Sequence, residues 1–254
     1  MTTALDSLPA LVGISHGTSS VDGHNAIASL MDAVGSQHPE IEVRSGFVDV
    51  ERPNVPEALG LVRGDAGIVV VPLLLSAGYH VHVDLAREVH AGGAQVKLAR
   101  ALGPDIRLAR ILRNRLREAG SKPGDHVIMA AAGSSDARAI EDCGVVAAQL
   151  ATELGDDVTL AFHSAHSPTL PEAIADARAR FPERRVVVSS YLLAPGYFQS
   201  RAENSDADIV TEPILSPTFG PADALVELVG DRYRAELNSQ PYASGLSTPT
   251  HNRV

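Results

Sequence analysis

The sequence predicts an α/β protein made of two similar lobes, each built around a mostly parallel sheet, with a cleft between them. Two observations predict this fold. Short apolar runs of strand length alternate along the chain with the spacing of amphipathic helices, which is typical of parallel sheets covered by helices. The same order of strands, turns and helices then occurs a second time. A pseudo-symmetric tandem repeat of one α/β unit is therefore the interpretation we adopt.

The first half contains four predicted strand–helix units, and its predicted strands are 11–14, 41–49, 69–75 and 95–99. The run 69–75 is apolar without alternation, as in a strand covered on both faces, although Pro72 cannot donate a ladder hydrogen bond. Ser19, Ser20 and Asp22 are candidate N-caps of the first helix. The apolar positions that predict two of the helices are Ile27, Leu30, Met31 and Val34, and Leu108, Ile111, Leu112 and Leu116.

The second half repeats this order after a linker at 121–124, with predicted strands at 127–131, 158–162, 186–193 and 209–210. Residues at the turns also match between the halves: 16–20 matches 132–136, 53–59 matches 168–174, and 74–79 matches 192–197. The last residues are polar and rich in proline, serine and threonine, a composition typical of disorder. We therefore expect an N-terminal lobe at 1–122, a C-terminal lobe at 123–239 and a disordered tail at 240–254.

Composition excludes several classes of protein. The formal net charge of −10 argues against a nucleic-acid binder, which normally carries a basic patch. Cys143 is the single cysteine, so the chain has no internal disulfide, and this fits a reducing compartment. The N-terminus lacks the basic and apolar regions of a signal peptide, and no apolar run reaches the length of a membrane span. We expect a soluble, cytoplasmic protein with no membrane partner.

Side chains that can bind a metal ion follow the first three predicted strands, at His16, Asp49 and His80. The carboxyl ends of parallel strands meet at one edge of a sheet, which is where ligands bind in such folds. Two imidazoles and a carboxylate suit iron, cobalt, nickel or zinc. Taken alone, a histidine at a strand end is more often a hydrogen-bonded loop residue, and Asp49 could be the cap of a turn.

The repeat strengthens the interpretation of these three residues as a site. The corresponding positions of the second half hold Ala132, Ser164 and Phe198, which together cannot bind a transition metal. The glycines and prolines around those positions are nevertheless retained. We therefore expect the first half to carry the chemistry and the second half to form the opposite wall of the cleft.

These segments resemble the sirohydrochlorin chelatases, class II enzymes that insert a divalent metal into a tetrapyrrole. The resemblance covers about 9–237, and its most specific carriers are 11–19, 47–49 with 53–59, and 71–81. It implies a class II chelatase-like pair of Rossmann-like lobes. It also implies that His16 and His80 match the metal-binding and catalytic histidines of the family. Asp49 falls where the family commonly has glutamate, so its carboxylate arm is one methylene shorter.

The resemblance implies substrates rather than a cofactor. The expected tetrapyrrole is sirohydrochlorin, the expected metal is Fe²⁺ with Co²⁺ or Ni²⁺ as alternatives, and no organic cofactor is expected. Iron would serve sirohaem synthesis and cobalt would serve cobalamin synthesis. Some family members are half-length and pair as homodimers, whereas the fused repeat would supply both walls within one chain. We therefore expect a monomer.

Substrate contacts are expected from both halves. Gly17, Thr18 and Ser19 open a helix and could form a cradle for substrate carboxylates, although an ordinary capped helix would look the same. Gly78, Tyr79 and Phe198 are the other expected contacts, and Tyr197 matches Tyr79 in the repeat. The arginine-rich run 107–117 is expected to be a solvated helix face.

Three further histidines could line the cleft: His82, His163 and His166. His82 would face away from His80 if the chain stayed extended, and surface loop positions are favoured for His163 and His166. Two alternative functions use similar residues. A histidine phosphatase normally has arginine before its histidine, whereas Ser15 stands here. A non-enzymatic metal or tetrapyrrole carrier could use the same ligands without turnover.

Overall fold

The computed structural model describes residues 8–76, 79–93 and 95–239, with residues 79–84 described by their backbone alone. The chain forms two separate four-stranded sheets with the same strand order, β2-β1-β3-β4 and β6-β5-β7-β8, and every strand pair is parallel. The strands are β1 (Ala10–Ser15), β2 (Val43–Phe47), β3 (Ile68–Pro72), β4 (Val96–Leu98), β5 (His126–Ala131), β6 (Val158–Phe162), β7 (Val186–Tyr191) and β8 (Ile209–Val210). The predicted fold class is confirmed.

Helices alternate with the strands throughout. They are α1 (Val21–Gln37), α2 (Val55–Gly60), α3 (Tyr79–Ala91), α4 (Ile106–Glu118), α5 (Ala137–Leu154), α6 (Leu170–Arg180), α7 (Tyr197–Glu203) and α8 (Asp223–Leu237). The predicted apolar stripes of α1 and α4 are buried, and Ser20 is the N-cap of α1. Among the described helices, none is long and apolar enough to cross a membrane.

The third strand ends earlier than predicted, at Pro72 rather than at residue 75. Pro72 lies opposite Ile14 at the last pairing of β3 with β1, although β3 is an interior strand. The missing N–H costs little there, because the N–H of Leu73 donates to the Ile14 carbonyl at 2.7 Å. Residues 73–76 therefore leave the sheet and are free to line the space beyond it.

Each lobe is completed by a helix from the other half of the chain. Helix α4 packs against α5 and β7, and α8 packs against β3 and α1. Arg107 on α4 donates to Asp231 on α8 at 2.6 Å, and the Tyr233 hydroxyl donates to the Pro9 carbonyl at 2.5 Å. The sequence boundary between 1–122 and 123–239 stays a prediction, since these helices interlock the two lobes.

The expectation that 107–117 is a solvated face is wrong at Arg115, which is only 4% exposed. Its guanidinium donates to the carbonyls of Pro213 and Ile214 at 3.2 and 3.0 Å, and to Glu118 at 2.7 Å. Arginine can satisfy several acceptors at once because its five N–H donors are held in one plane. The residue thus joins α4 to the segment that follows β8.

Replacing Arg115 with methionine is expected to lower the free energy of unfolding by about 3 kcal/mol, because two buried carbonyls would lose their donors. Urea unfolding measures the change. The control is Arg110→Met on the same helix, whose ion pair with Glu153 is exposed at the arginine and should contribute less than about 1 kcal/mol. Equal losses from the two variants would mean that the buried contacts of Arg115 do not stabilise the fold.

Candidate active site

A cleft of about 530 Å³ lies between the two lobes at the carboxyl ends of their strands. The first lobe contributes residues 15–19 and 73–76, and the second contributes residues 131–134 and 191–199. The first turn of α1 also closely approaches the segment after β7, since a Cβ on Gly23 would lie 2.3 Å from the Pro195 carbonyl oxygen. Residues from both halves therefore meet around one space.

His16 follows β1 directly, is exposed, and is the one histidine among the described residues that line the cleft. The turn after it requires glycine at position 17. Gly17 has φ of 94°, and a Cβ there would lie 2.1 Å from the Asp49 carbonyl oxygen. The Asp49 N–H also donates to the His16 carbonyl at 3.1 Å. The turns after β1 and β2 are thus packed together by their backbones.

The Asp49 carboxylate does not point into the cleft with His16. Its Oδ1 accepts the Val50 N–H at 2.7 Å, and Asp49 is exposed and does not line the cleft. Val50, which has φ of 65°, does line it. A positive φ is unusual for a β-branched residue and marks a strained turn. The structure therefore brings the Asp49 backbone, but not its carboxylate, to the site.

His80 lies in the first turn of α3, which follows β3. Asp49, His16 and His80 follow β2, β1 and β3, respectively. These three strands are neighbours in the sheet, with β1 in the middle. The side chains of Tyr79, His80 and His82 and all of Gly78 lie outside the described residues. Among the described side chains, no three histidines, cysteines or carboxylates group to hold a metal ion. The convergence of His16, Asp49 and His80 stays a prediction.

Glu51 is a residue that the sequence analysis missed. Its Oε1 accepts the Thr18 N–H at 2.7 Å, and its Oε2 pairs with His24 Nδ1 at 2.5 Å. The N–H groups of Ser20 and Gly23 are likewise engaged, by the Thr18 and Ser20 hydroxyls. The start of α1 is therefore largely a capped helix, and fewer of its donors are free for a substrate carboxylate than we expected. The only signal in the sequence was a second carboxylate two residues after Asp49.

The second lobe copies the backbone of this site without its ligands. Gly133 has φ of 97°, and a Cβ there would lie 1.8 Å from the Ser164 carbonyl oxygen. Gly17 approaches the Asp49 carbonyl oxygen in the same way. Ser164 Oγ donates to the Ala132 carbonyl at 3.0 Å. The loop shape is preserved, and alanine occupies the position that corresponds to His16.

Phe198 lines the cleft and is supported from behind by His163. Their rings stack 5.2 Å apart with an interplanar angle of 18°. Arg201 donates to the His163 carbonyl at 3.2 Å and lies over the Tyr197 ring at 5.9 Å. Burial, and secondarily the charge of Arg201, lower the pKa of His163 to about 4. This histidine is therefore neutral at physiological pH.

The favoured surface position is thus wrong for His163, which is 5% exposed, whereas His166 is exposed as expected. His163 immediately follows the buried end of β6, and the Phe198 ring covers it. Sequence could not show this contact, because the two residues lie on different elements. The equivalent residue of the first half is Val48, an apolar side chain.

Cys143 is buried in α5 and also lines the cleft. Burial, and to a lesser extent the nearby Asp142, raise the pKa of its thiol to about 11, although a hydrogen bond with Ser76 opposes the shift. The thiol is protonated at neutral pH, whereas a metal ligand would need to be a thiolate. Cys143 is therefore a neutral part of the cleft wall.

A family model described as CbiX matches residues 10–119 and again residues 126–236, which together make up most of the chain. The chain belongs to the CbiX family. The double match also supports the tandem repeat. The resemblance to the sirohydrochlorin chelatases found in the sequence is confirmed.

Curated relatives of this CbiX chain match less than half of its length. A protein named sirohydrochlorin cobaltochelatase from Sulfurisphaera tokodaii is 34% identical over 79 residues, which are 30% of this chain and 66% of that protein. A protein of the same name from Sulfolobus acidocaldarius is 28% identical over 118 residues, 45% of this chain and 94% of that protein. These relatives correspond in length to about one of the two repeats.

Solved structures of similar fold cover most of the CbiX chain. SirB from Bacillus subtilis with Fe³⁺ has a TM-score of 0.74 at 18% identity, over 89% of this chain and 94% of that one. The sirohydrochlorin chelatase SirB from Bacillus subtilis subspecies spizizenii in complex with cobalt has a TM-score of 0.67 at 16% identity, with the same coverage. At these identities the likeness shows the fold.

Proposed function

We propose that this chain is a chelatase that inserts a divalent metal ion into sirohydrochlorin. The observation that carries the proposal is the cleft, which joins the His16 turn of one lobe to the Phe198 wall of the other. Membership of the CbiX family and the names of the curated relatives support the same reaction. The first wall would hold the metal and the second would hold the macrocycle.

Metal insertion requires a site that binds a dication, removes its water and accepts two protons from pyrrole nitrogens. In our proposal His16 and His80 do this work, because neutral imidazole can ligate a metal or accept a proton near pH 7. Asp49 would offset part of the charge after its carboxylate turns away from the Val50 N–H. The site must release its ion, so an open set of ligands suits it better than a closed cage.

The macrocycle would lie between the walls. Gly17, Thr18 and Ser19 would contact it from the first lobe, together with Gly78 and Tyr79. From the second lobe, Phe198 would present an apolar face that the neutral His163 ring supports. Because one chain supplies both walls, we propose that the monomer is the active form and that it acts in the cytoplasm.

The proposed function leaves a choice between metal ions. The sequence analysis favoured Fe²⁺, whereas the curated relatives carry names that specify cobalt. Imidazole and carboxylate ligands accept either ion, so the proposed ligands do not choose between them. We therefore propose Fe²⁺ and Co²⁺ as the two metals to compare, with Ni²⁺ as the third.

The test is to offer sirohydrochlorin with Fe²⁺, Co²⁺ or Ni²⁺ under anaerobic conditions and to follow the absorbance spectrum. A chelatase at catalytic concentration should convert many equivalents faster than the reaction without protein. A carrier would instead change the spectrum only up to one equivalent per chain. Rates equal to the protein-free rate with all three metals would contradict the proposed function.

A further inference from the structure

Ser15 is a buried polar residue of the cleft that the proposed function does not yet use. It is the last residue of β1, is 3% exposed and lines the cleft beside His16. Within the described part of the chain, its Oγ has no hydrogen-bond partner. A buried hydroxyl without a partner is unfavourable, so its presence calls for an explanation.

The strand geometry places the Ser15 side chain on the face of β1 that leads to the cleft. Alternate residues of a strand share a face, so Ser15 lies on the same face of β1 as Gly13. A Cβ on Gly13 would meet the Met31 side chain at 2.6 Å and the Leu73 side chain at 3.3 Å. That face is covered by α1 and by the segment after β3, which lead to the cleft at the strand end where Ser15 lies.

Three other hydroxyls around the cleft already have protein partners. Tyr191 donates to the Leu75 carbonyl at 2.8 Å, the Ser134 Oγ accepts the Asp136 N–H at 3.0 Å, and Ser76 bonds to the Cys143 thiol. Ser15 differs from these three because its Oγ is buried and has no hydrogen-bond partner among the described residues.

The strand does not need this hydroxyl in order to form. The second repeat has Ala131 at the equivalent place, and Ala131 pairs with Phe162 as Ser15 pairs with Phe47. Both residues are buried and line the same cleft from opposite lobes. The hydroxyl therefore distinguishes the lobe with the proposed chemistry from the lobe without it.

We propose that the Ser15 hydroxyl hydrogen-bonds to an inner nitrogen of the metal-free tetrapyrrole and so favours the substrate over the metallated product. This inference rests on the proposed function. Ser15 and His16 both line the cleft at the end of β1, so a ring held over His16 would present its inner nitrogens, rather than its outer carboxylates, to this end of the strand. The free base offers both N–H donors and unprotonated nitrogen acceptors, and a hydroxyl can pair with either.

Metal insertion removes this partner. The two inner protons leave, and all four nitrogen lone pairs then point at the metal ion. The Ser15 hydroxyl would again be buried without a hydrogen bond, which favours release of the product. The residue would thus contribute to discrimination between substrate and product, and not to holding the metal.

The test compares Ser15→Ala with the unmodified protein, using sirohydrochlorin and cobalt-sirohydrochlorin as two separate ligands. Loss of one hydrogen bond should weaken binding of the metal-free ligand about tenfold. Binding of the metallated ligand should change less than about twofold, because the hydroxyl has no partner there. Both dissociation constants can be measured by absorbance titration.

The matched control is Ser189→Ala. Ser189 is also a fully buried strand serine whose Oγ has no partner in the described part of the chain, but it does not line the cleft. This variant should leave both affinities unchanged, and thermal unfolding should show that both variants fold. Equal weakening for the two ligands would place the hydroxyl at the ring periphery and overturn the inference, as would no weakening for either. Failure of the unmodified protein to bind sirohydrochlorin would instead contradict the proposed function itself.

Discussion

Replacing His16 with alanine is expected to slow metal insertion into sirohydrochlorin by about 10²- to 10⁴-fold, the usual contribution of a positioned acid–base group. Among the described residues, His16 is the one histidine that lines the cleft. In the proposed reaction it binds the metal dication and accepts protons from the pyrrole nitrogens. The fold should survive, because the side chain is exposed. Anaerobic initial rates, followed by absorbance, measure the effect.

His166→Ala is the matched control for His16→Ala. His166 is exposed in the loop after β6, near the second-lobe position that corresponds to Asp49, and it makes an edge contact with Phe162. Its loss should change the rate less than about threefold, in the range of ordinary surface substitutions. If His16→Ala kept more than a tenth of the original rate, His16 would not be the residue that handles the metal and the protons.

Local pattern predicted most of the fold because each element satisfies its own physical requirements. The apolar stripe of α1 is buried as its spacing required, and Asn54 and Glu57 form the capping box of α2. The repeat then constrained the topology, since two copies of one unit should have the same strand order. Strand ends were less accurate: β3 stops at Pro72 because the chain turns toward the cleft there.

Contacts between distant segments could not be predicted from local pattern. Arg115 looked like part of a charged surface stripe, and only the carbonyls of Pro213 and Ile214 explain its burial. The exchange of α4 and α8 between the lobes could not be predicted for the same reason. An amphipathic stripe shows that a helix is covered, but it does not show which sheet covers the helix. The sequence contains the apolar face but not its partner.

Some features of the candidate site could be predicted from the sequence, and others could not. The position of His16 follows from one rule, that strand carboxyl ends share an edge, and the structure places it in the cleft. The orientation of the Asp49 carboxylate depends instead on a single dihedral choice in a strained turn, which favours the Val50 N–H. Residue type and spacing do not determine that choice, and they gave no reason to expect Glu51 to hold the Thr18 N–H.

Replacing His163 with phenylalanine is expected to remove a pH-dependent loss of stability. The folded protein lowers the pKa of His163 from 6.5 to about 4, mainly through burial. Between these values the unfolded chain binds more protons than the folded one, so the free energy of unfolding falls as pH falls from about 6.5 toward 4. The difference in pKa corresponds to a loss of about 3 kcal/mol at the low end of this window.

Phenylalanine keeps a ring against Phe198 but cannot be protonated, and it removes a buried nitrogen, Nε2, that has no hydrogen-bond partner in the described part of the chain. Urea unfolding of both proteins between pH 4 and pH 7.5 measures the effect. The advantage of the variant should be smallest near neutral pH and should grow as the pH is lowered. His126, whose pKa burial also lowers, is common to both proteins, so its contribution cancels in the comparison. If the difference in the free energy of unfolding between the two proteins stayed constant over this pH range, burial would not be holding His163 neutral. The support that His163 gives to Phe198 would then not depend on the charge of His163.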